Sequence, residues 1–197
     1  MFHKFYKQIA ILSIMILTWI IIAILVLVVL AFIIYFNRFV TLENGVNNAL
    51  SQIDVQLKKR ADLVPNLIAT VKGYAKHEKE IMKDVTDSHK ALLGAKTFAG
   101  RVKAGAELQS ALKSVFALAE NYPQLKANEN FLQLQQELSA IEDKIAYSRQ
   151  YYNDSIMSYN ITVGTVPGAW FASLYGKKAK EQLQITAEEK AVPKVSF

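Results

Sequence analysis

Three histidines, seventeen carboxylates and no cysteine bound the chemistry open to this 197-residue chain. Without cysteine there is no disulfide, no thiolate metal site and no thiol nucleophile. His77-Glu78 begins like a zinc-binding His-Glu-x-x-His helix, but position 81 is Ile where that motif needs its second histidine. Neither His3 nor His89 completes a histidine–carboxylate set with a spacing specific enough to define a metal site. Gly94, Gly100 and Gly105 stand too far apart for a phosphate-cradling loop and follow no strand-like segment. A Gly-x-Ser-x-Gly nucleophile turn is absent. Glu43, Asp54, Asp62, Asp84, Glu137 and Asp143 fall in helix-forming sequence and are expected to face solvent. The expectation is a protein that is not an enzyme, with no metal, no cofactor and no small-molecule substrate. A net charge of +6 is too small a surplus to point to nucleic acid, and it suits a protein held beside anionic lipid.

What remains are residues suited to binding, and the segment that positions them is apolar. Ile9 to Phe36 is a run of 28 residues without a charge, broken only by Ser13 and Thr18. A bilayer core needs roughly 20 apolar residues in a helix. A cleaved leader would carry an apolar stretch of about 7–15 residues and then small residues. This run is longer and ends in Ile34-Tyr35-Phe36, so it reads as an uncleaved single-pass anchor. Lys4 and Lys7 precede it, against Arg38 just after it. That weak bias places the N-terminus in the cytoplasm.

The rest of the chain reads as helix throughout, giving an all-α fold: one membrane helix running into an antiparallel up-and-down bundle of about four long helices. Phe39, Leu42, Val46, Leu50, Ile53 and Leu57 form one stripe, carrying the first helix to about Arg60. Asp62 and Pro65 then predict a turn and a new helix start. That second helix runs to Gly94, with a loop over Ala95–Gly105. A third, carrying Leu108 to Leu118, ends at Asn121-Tyr122-Pro123. The fourth, with Phe131 to Tyr159 on its stripe, ends near Gly164. The divisions are an N-terminal segment 1–8, the span 9–36, the bundle 37–163, an amphipathic segment 164–183 and a polar tail 184–197.

This plan assigns the binding candidates. The segment after the fourth helix returns to the lipid surface, where Trp170, Phe171, Leu174 and Tyr175 suit the interface and Lys177, Lys178 and Lys180 reach head groups. The alternative is that those aromatics cap the base of the bundle. Lys58, Lys59, Arg60, Asp62, Asn66, Asn128 and Asn130 fall at the predicted distal tip, as helix caps or as a docking surface for a partner. Lys58-Lys59-Arg60 would stand about 35 Å from the bilayer, well beyond a Debye length of roughly 8 Å. Asp54 and Arg149 come to one level of the bundle, as a pair able to fix helix register or as two solvated charges.

Three blocks resemble the LemA family: SQIDVQLKKRADLVPNLIATVKGYAKHEKE (Ser51–Glu80), AENYPQLKANENFLQLQQELSAIEDKIAYSRQYYNDSIMSYN (Ala119–Asn160) and PKVSF (Pro193–Phe197). The resemblance implies a short N-terminus, one membrane helix and an antiparallel helical bundle. It also implies a structural or adaptor role, some relatives in magnetotactic bacteria being associated with forming an organelle membrane. It further implies an outward N-terminus with the domain in the cytoplasm, against the charge bias, so the side stays open. Two positions depart from the family pattern. Leu50 stands where Trp is frequent, and the stretch after Pro167-Gly168 lacks the more usual Phe-Gly-Phe-like ending. The expected function is a scaffold or adaptor in membrane organisation, self-associating or bound to another membrane protein. A signalling adaptor sensing a partner or ligand at its tip is the alternative.

Overall fold

The computed structural model describes residues 2–183, with side chains from Ile11 onward. The tail 184–197 and the side chains of His3, Lys4 and Lys7 lie outside the described residues. Among the described residues six helices follow in order: α1 Phe2–Tyr74, α2 Lys79–Gly94, α3 Phe98–Ala119, α4 Pro123–Lys126, α5 Glu129–Gly164 and α6 Gly168–Leu174. Among the described residues there is no strand, so the expected all-α class holds.

The first helix corrects the expected boundaries. It runs straight through Asp62 and Pro65 to Tyr74, and the turn falls at residues 75–78. An internal proline removes one hydrogen bond and crowds the preceding turn, at a cost of about 3 kcal/mol. The buried stripe explains why it is tolerated: Ile53, Leu57, Arg60, Val64, Leu67 and Val71 keep three- and four-residue steps across Pro65. Breaking the helix would take residues on both sides out of phase with the core. The predicted loop Ala95–Gly105 is also mostly helix. Thr97 caps α3 by accepting from the Gly100 amide at 3.1 Å, which starts the helix at Phe98.

The chain divides into two compact units. In Asn47–Asp154, α1, α3 and α5 enclose an apolar core and α2 packs along α3. Contacts pair Asp54 with Arg101, Arg60 with Glu142 and Tyr74 with Asn128. Phe98 meets Tyr152 and Phe116 meets Phe131. Numbers rise together on α1 and α3 and fall on α5, which is the up-and-down arrangement.

The other unit holds α1 through Val46, the end of α5 and all of α6, within Ser155–Gln182. Its core is Phe39, Tyr159 and Ala172, flanked by Tyr35, Leu42, Val163, Phe171 and Tyr175. The apolar part of α1 before this core is exposed: apart from half-buried Tyr35, the large apolar side chains from Ile11 to Phe36 are 38–67% accessible. A core helix of a water-soluble fold would be mostly covered; this helix is long and apolar enough to cross a membrane, and among the described residues none of its most apolar stretch is buried.

Gly45 lies inside α1, and a methyl group added there would meet nothing within 4 Å. Gly45→Ala is expected to stabilise the chain by about 0.5–1 kcal/mol through helix propensity alone. Chemical denaturation followed by circular dichroism measures it. A loss of stability would mean the helix is not continuous at this point.

Candidate functional site

The short helix α6 folds back onto α1 at the last turns of the uncharged run. Phe171 stacks on Tyr35 with ring centroids 4.6 Å apart and meets Phe32 edge-on at 5.0 Å. The Tyr175 hydroxyl donates to the Phe32 carbonyl at 3.0 Å, and its ring lies edge-on to Phe36 and Phe39. Gly168 permits this close return, since a Cβ there would lie 2.2 Å from the Thr162 carbonyl oxygen. The Lys177 ammonium donates to both Glu43 carboxylate oxygens at 2.9 and 2.8 Å. Tyr159, beneath them, has its pKa raised by burial first and by the Glu43 carboxylate second.

The surface candidates therefore divide. Phe171, Tyr175 and Lys177 are engaged inside the unit. Trp170 and Leu174 point outward at 64% and 67% exposure, and Lys178 is exposed beside them. Lys180 lies with its ammonium 5.2 Å from the Tyr159 ring centroid, a cation–π arrangement. Past α6 the described residues 175–183 form no helix or strand, and this stretch is held by its backbone. The Asn160 side-chain amide donates to the Lys180 carbonyl and accepts from its N–H, both at 2.8 Å. Asn153 does the same to Leu183, at 3.1 and 2.9 Å.

In the unit Asn47–Asp154 the polar candidates move from their expected places. Asp54 pairs with Arg101 rather than Arg149: both carboxylate oxygens accept from the guanidinium, at 2.7 and 2.8 Å. The loop expected over residues 95–105 hid this partner, since only as part of α3 does Arg101 face α1. The bond to Asp54 chiefly raises the Arg101 pKa. Both side chains are about 30% exposed, so a coupling of about 1 kcal/mol is expected. A double-mutant cycle with Asp54→Asn and Arg101→Gln measures it, and strict additivity would refute the pairing.

Because α1 continues to Tyr74, Lys58, Lys59, Asp62 and Asn66 are not at a tip. They lie on its exposed mid-face, with Lys58 about 24 Å before the helix end, and Lys58 meets Asp62 at 3.3 Å one turn on. Arg60 is corrected furthest: it is 2% exposed. Its Nη1 donates to the Gly105 carbonyl at 3.1 Å and its Nη2 forms an ion pair with Glu142. Its Nε has no hydrogen-bond partner among the described residues. Burial lowers the Arg60 pKa to about 10, still far above neutrality, so the buried group is a cation. Gly105 makes the approach possible, because a Cβ there would come within 2.6 Å of the Leu57 side chain. Beside this pair is a cavity of about 210 Å³. Arg60, Glu142, Lys113, Arg149, Gln109 and Ser110 are its polar lining, and Ile53, Leu57 and Ile145 line it as well.

The tip of this unit joins Asn128, one of the predicted tip residues, to Tyr74, and Tyr122 to Glu78, three residues not assigned to it from the sequence. The Tyr122 hydroxyl donates to Glu78 at 2.9 Å, and Asn128 donates to the Tyr74 hydroxyl at 3.0 Å while capping α5 through the Phe131 amide. The bond to Glu78 is the first cause of a raised Tyr122 pKa. Asn130 is exposed in the first turn of α5. Among the described residues, no group of three or more His, Asp or Glu side chains is placed to hold a metal ion.

An exposed apolar helix joined to a helical bundle defines a membrane-associated all-α protein. Within that class the chain belongs to the LemA family, whose profile matches residues 49–197. It is similar to the magnetosome protein MamQ of Magnetospirillum gryphiswaldense, 26% identical over 173 residues, covering 74% of this chain and 63% of that protein. Magnetosome protein MamQ 2 of Paramagnetospirillum magneticum is 26% identical over 184 residues, 76% of this chain and 64% of its own. Protein LemA of Metamycoplasma hominis is 29% identical over 133 residues, 66% of this chain and 59% of its own. The chain thus spans less than two thirds of the length of these relatives.

Proposed function

We propose that this protein is a membrane-anchored, non-enzymatic scaffold that organises a membrane patch by associating with copies of itself. The Ile9–Phe36 segment of α1 is the anchor. The observation that carries the reading is where α6 docks: against Phe32, Tyr35 and Phe36, the end of the uncharged run. A segment held at that level lies at the edge of the hydrocarbon, where Trp is favoured. Trp170 and Leu174 then enter the interface and Lys178 meets head groups. Their outward position would otherwise expose an apolar pair to water for no gain. The similarity to two magnetosome proteins, proteins named for a membrane-bounded organelle, agrees with work on a membrane.

The test uses the full chain in mild detergent and in vesicles. Light scattering is expected to give a discrete assembly of several copies. Trp170 emission, read on a Trp19→Phe background, is expected to shift to the blue on anionic vesicles, and Trp170→Ser with Leu174→Ser to weaken the assembly. One copy per micelle with unchanged Trp170 emission would refute the scaffold and direct attention to a different partner.

A further inference from the structure

Ser155 to Gly176 is a second run of the chain without a charge, 22 residues long. Charged residues are 20% of the sequence, so a stretch of this length would by composition hold several. It does not cross a bilayer as one helix, because α5 ends at Gly164 and α6 starts at Gly168, folding the run back on itself. The whole run belongs to the unit that carries the apolar part of α1, and contacts with α1 set its level. Lys177 reaches Glu43, the Tyr175 ring meets Phe39 and Phe36, and Phe171 meets Tyr35 and Phe32. Followed backwards along α6, the contacts step down α1 into its uncharged run, and Phe32 lies about 6 Å inside the end of that run at the helical rise. The last turns of α5 approach from the same side, with Tyr159 against Phe39. The corner at 164–168 is where the two descents meet. Val166 is exposed there, and Ile161, Trp170 and Leu174 are exposed on its two arms. The polar groups of the corner are closed in the way lipid demands. The Thr162 and Thr165 hydroxyls donate to the Ser158 and Ile161 carbonyls at 3.1 and 2.7 Å, and the Thr165 N–H donates to Ile161 at 3.0 Å. Pro167 has no N–H to satisfy. We propose that the hairpin Ser155–Gly176 is a second membrane contact of this chain, its corner seated in the acyl chains of the bilayer beside the end of the anchor, with Ile161, Val166, Trp170 and Leu174 against lipid. This rests on the reading of Ile9–Phe36 as the anchor, and it extends the contact from α6 to the end of α5. The occupant is hydrocarbon because the corner offers no charge to a head group; the lysines begin at Lys177, at the level of Glu43. Interfacial elements bury an apolar face about 5–10 Å into the boundary of head groups and acyl chains, which matches the depth given by Phe32.

The chain has no cysteine, so a single introduced cysteine can carry a nitroxide label without further changes. Val166→Cys and Trp170→Cys are compared with Leu25→Cys in the anchor and Lys58→Cys on the exposed face of α1, each in the full chain in phosphatidylcholine vesicles. All four side chains are exposed, so the substitutions keep the fold. Electron paramagnetic resonance then measures collisions with oxygen, which concentrates in lipid, and with a nickel chelate, which stays in water. Labels at 166 and 170 are expected to meet nickel several-fold less often than the label at 58 and to be open to oxygen, as at 25. A label at 166 as open to nickel as the one at 58, with 25 still shielded, would overturn the inference and leave the anchor standing. Nickel reaching 25 as well would refute the anchor, and the inference with it. Shielding of 166 from both reagents would also overturn it, because the corner would then be covered by protein, as in contact with a second copy.

Discussion

Arg60→Ala is expected to lower the unfolding free energy by about 3–5 kcal/mol, the cost of removing one partner from a buried ion pair. The guanidinium is 2% exposed, while the Glu142 side chain keeps 37%. Truncation therefore removes a cation that solvent does not replace, and it leaves two acceptors, Glu142 and the Gly105 carbonyl, without their donor. It also enlarges a cavity that already exists beside the pair. The pair as a whole is another matter: two charges taken from water regain little more than they lose. Arg60→Met together with Glu142→Leu should therefore recover most of the stability lost in Arg60→Ala. Denaturant unfolding of the full chain in detergent, followed by circular dichroism, gives both numbers. A loss under about 1 kcal/mol in Arg60→Ala, the range of a surface pair, would show that the pair is solvated.

The second large effect is expected at Gly168. An added Cβ would sit 2.2 Å from the backbone oxygen of Thr162, which is inside α5 and cannot turn aside as a side chain can. The conflict is relieved only by moving α6. Gly168→Ala should therefore cost about 2–3 kcal/mol, the upper part of the range for overpacking, and it should undock Phe171 from Tyr35 and Tyr175 from the Phe32 carbonyl. Faster proteolysis between Gly164 and Gly176, and a changed Trp170 emission, are the expected signs. Gly164→Ala is the control, because a Cβ there meets nothing within 4 Å. Equal protection of Gly168→Ala and the parent would show that α6 does not pack as described.

The helical class and the end of α5 were legible because their signals are repetitive: a long apolar run, stripes at three- and four-residue steps, and Gly164 followed by Pro167 and Gly168. The family blocks were legible as ordered strings. Arg60 was misread for a physical reason. It occupies the stripe position between Leu57 and Val64, but its charge and the nearby Pro65 together resembled the end of a helix. Tertiary packing on both sides of the proline outweighed a local rule. Asp54 meets Arg101 and not the expected Arg149, because Arg101 became visible only when Thr97 capped a helix through what looked like a glycine-rich loop. The roles of Phe171 and Lys177 could not be read from composition, since an aromatic–lysine cluster has the same appearance whether it faces lipid or its own core. What divides them is that Phe171 meets Tyr35 and Lys177 meets Glu43, contacts between residues more than 130 positions apart.

The two asparagines that hold the chain beyond α6 have a consequence for how this segment can evolve. Asn160 and Asn153 address the N–H and C=O of residues 180 and 183, so they read a residue's backbone and leave its side chain unread. Substitutions at 183 leave its two bonds to Asn153 in place, and at 180 the cation over Tyr159 sets a preference. Proline alone is barred at both, because it has no N–H to give. On the other side of each contact the latitude vanishes: aspartate in place of either asparagine keeps the acceptor and loses the donor. Inheritance in this segment is thus lopsided, with a tolerant peptide held by two intolerant amides two helical turns apart.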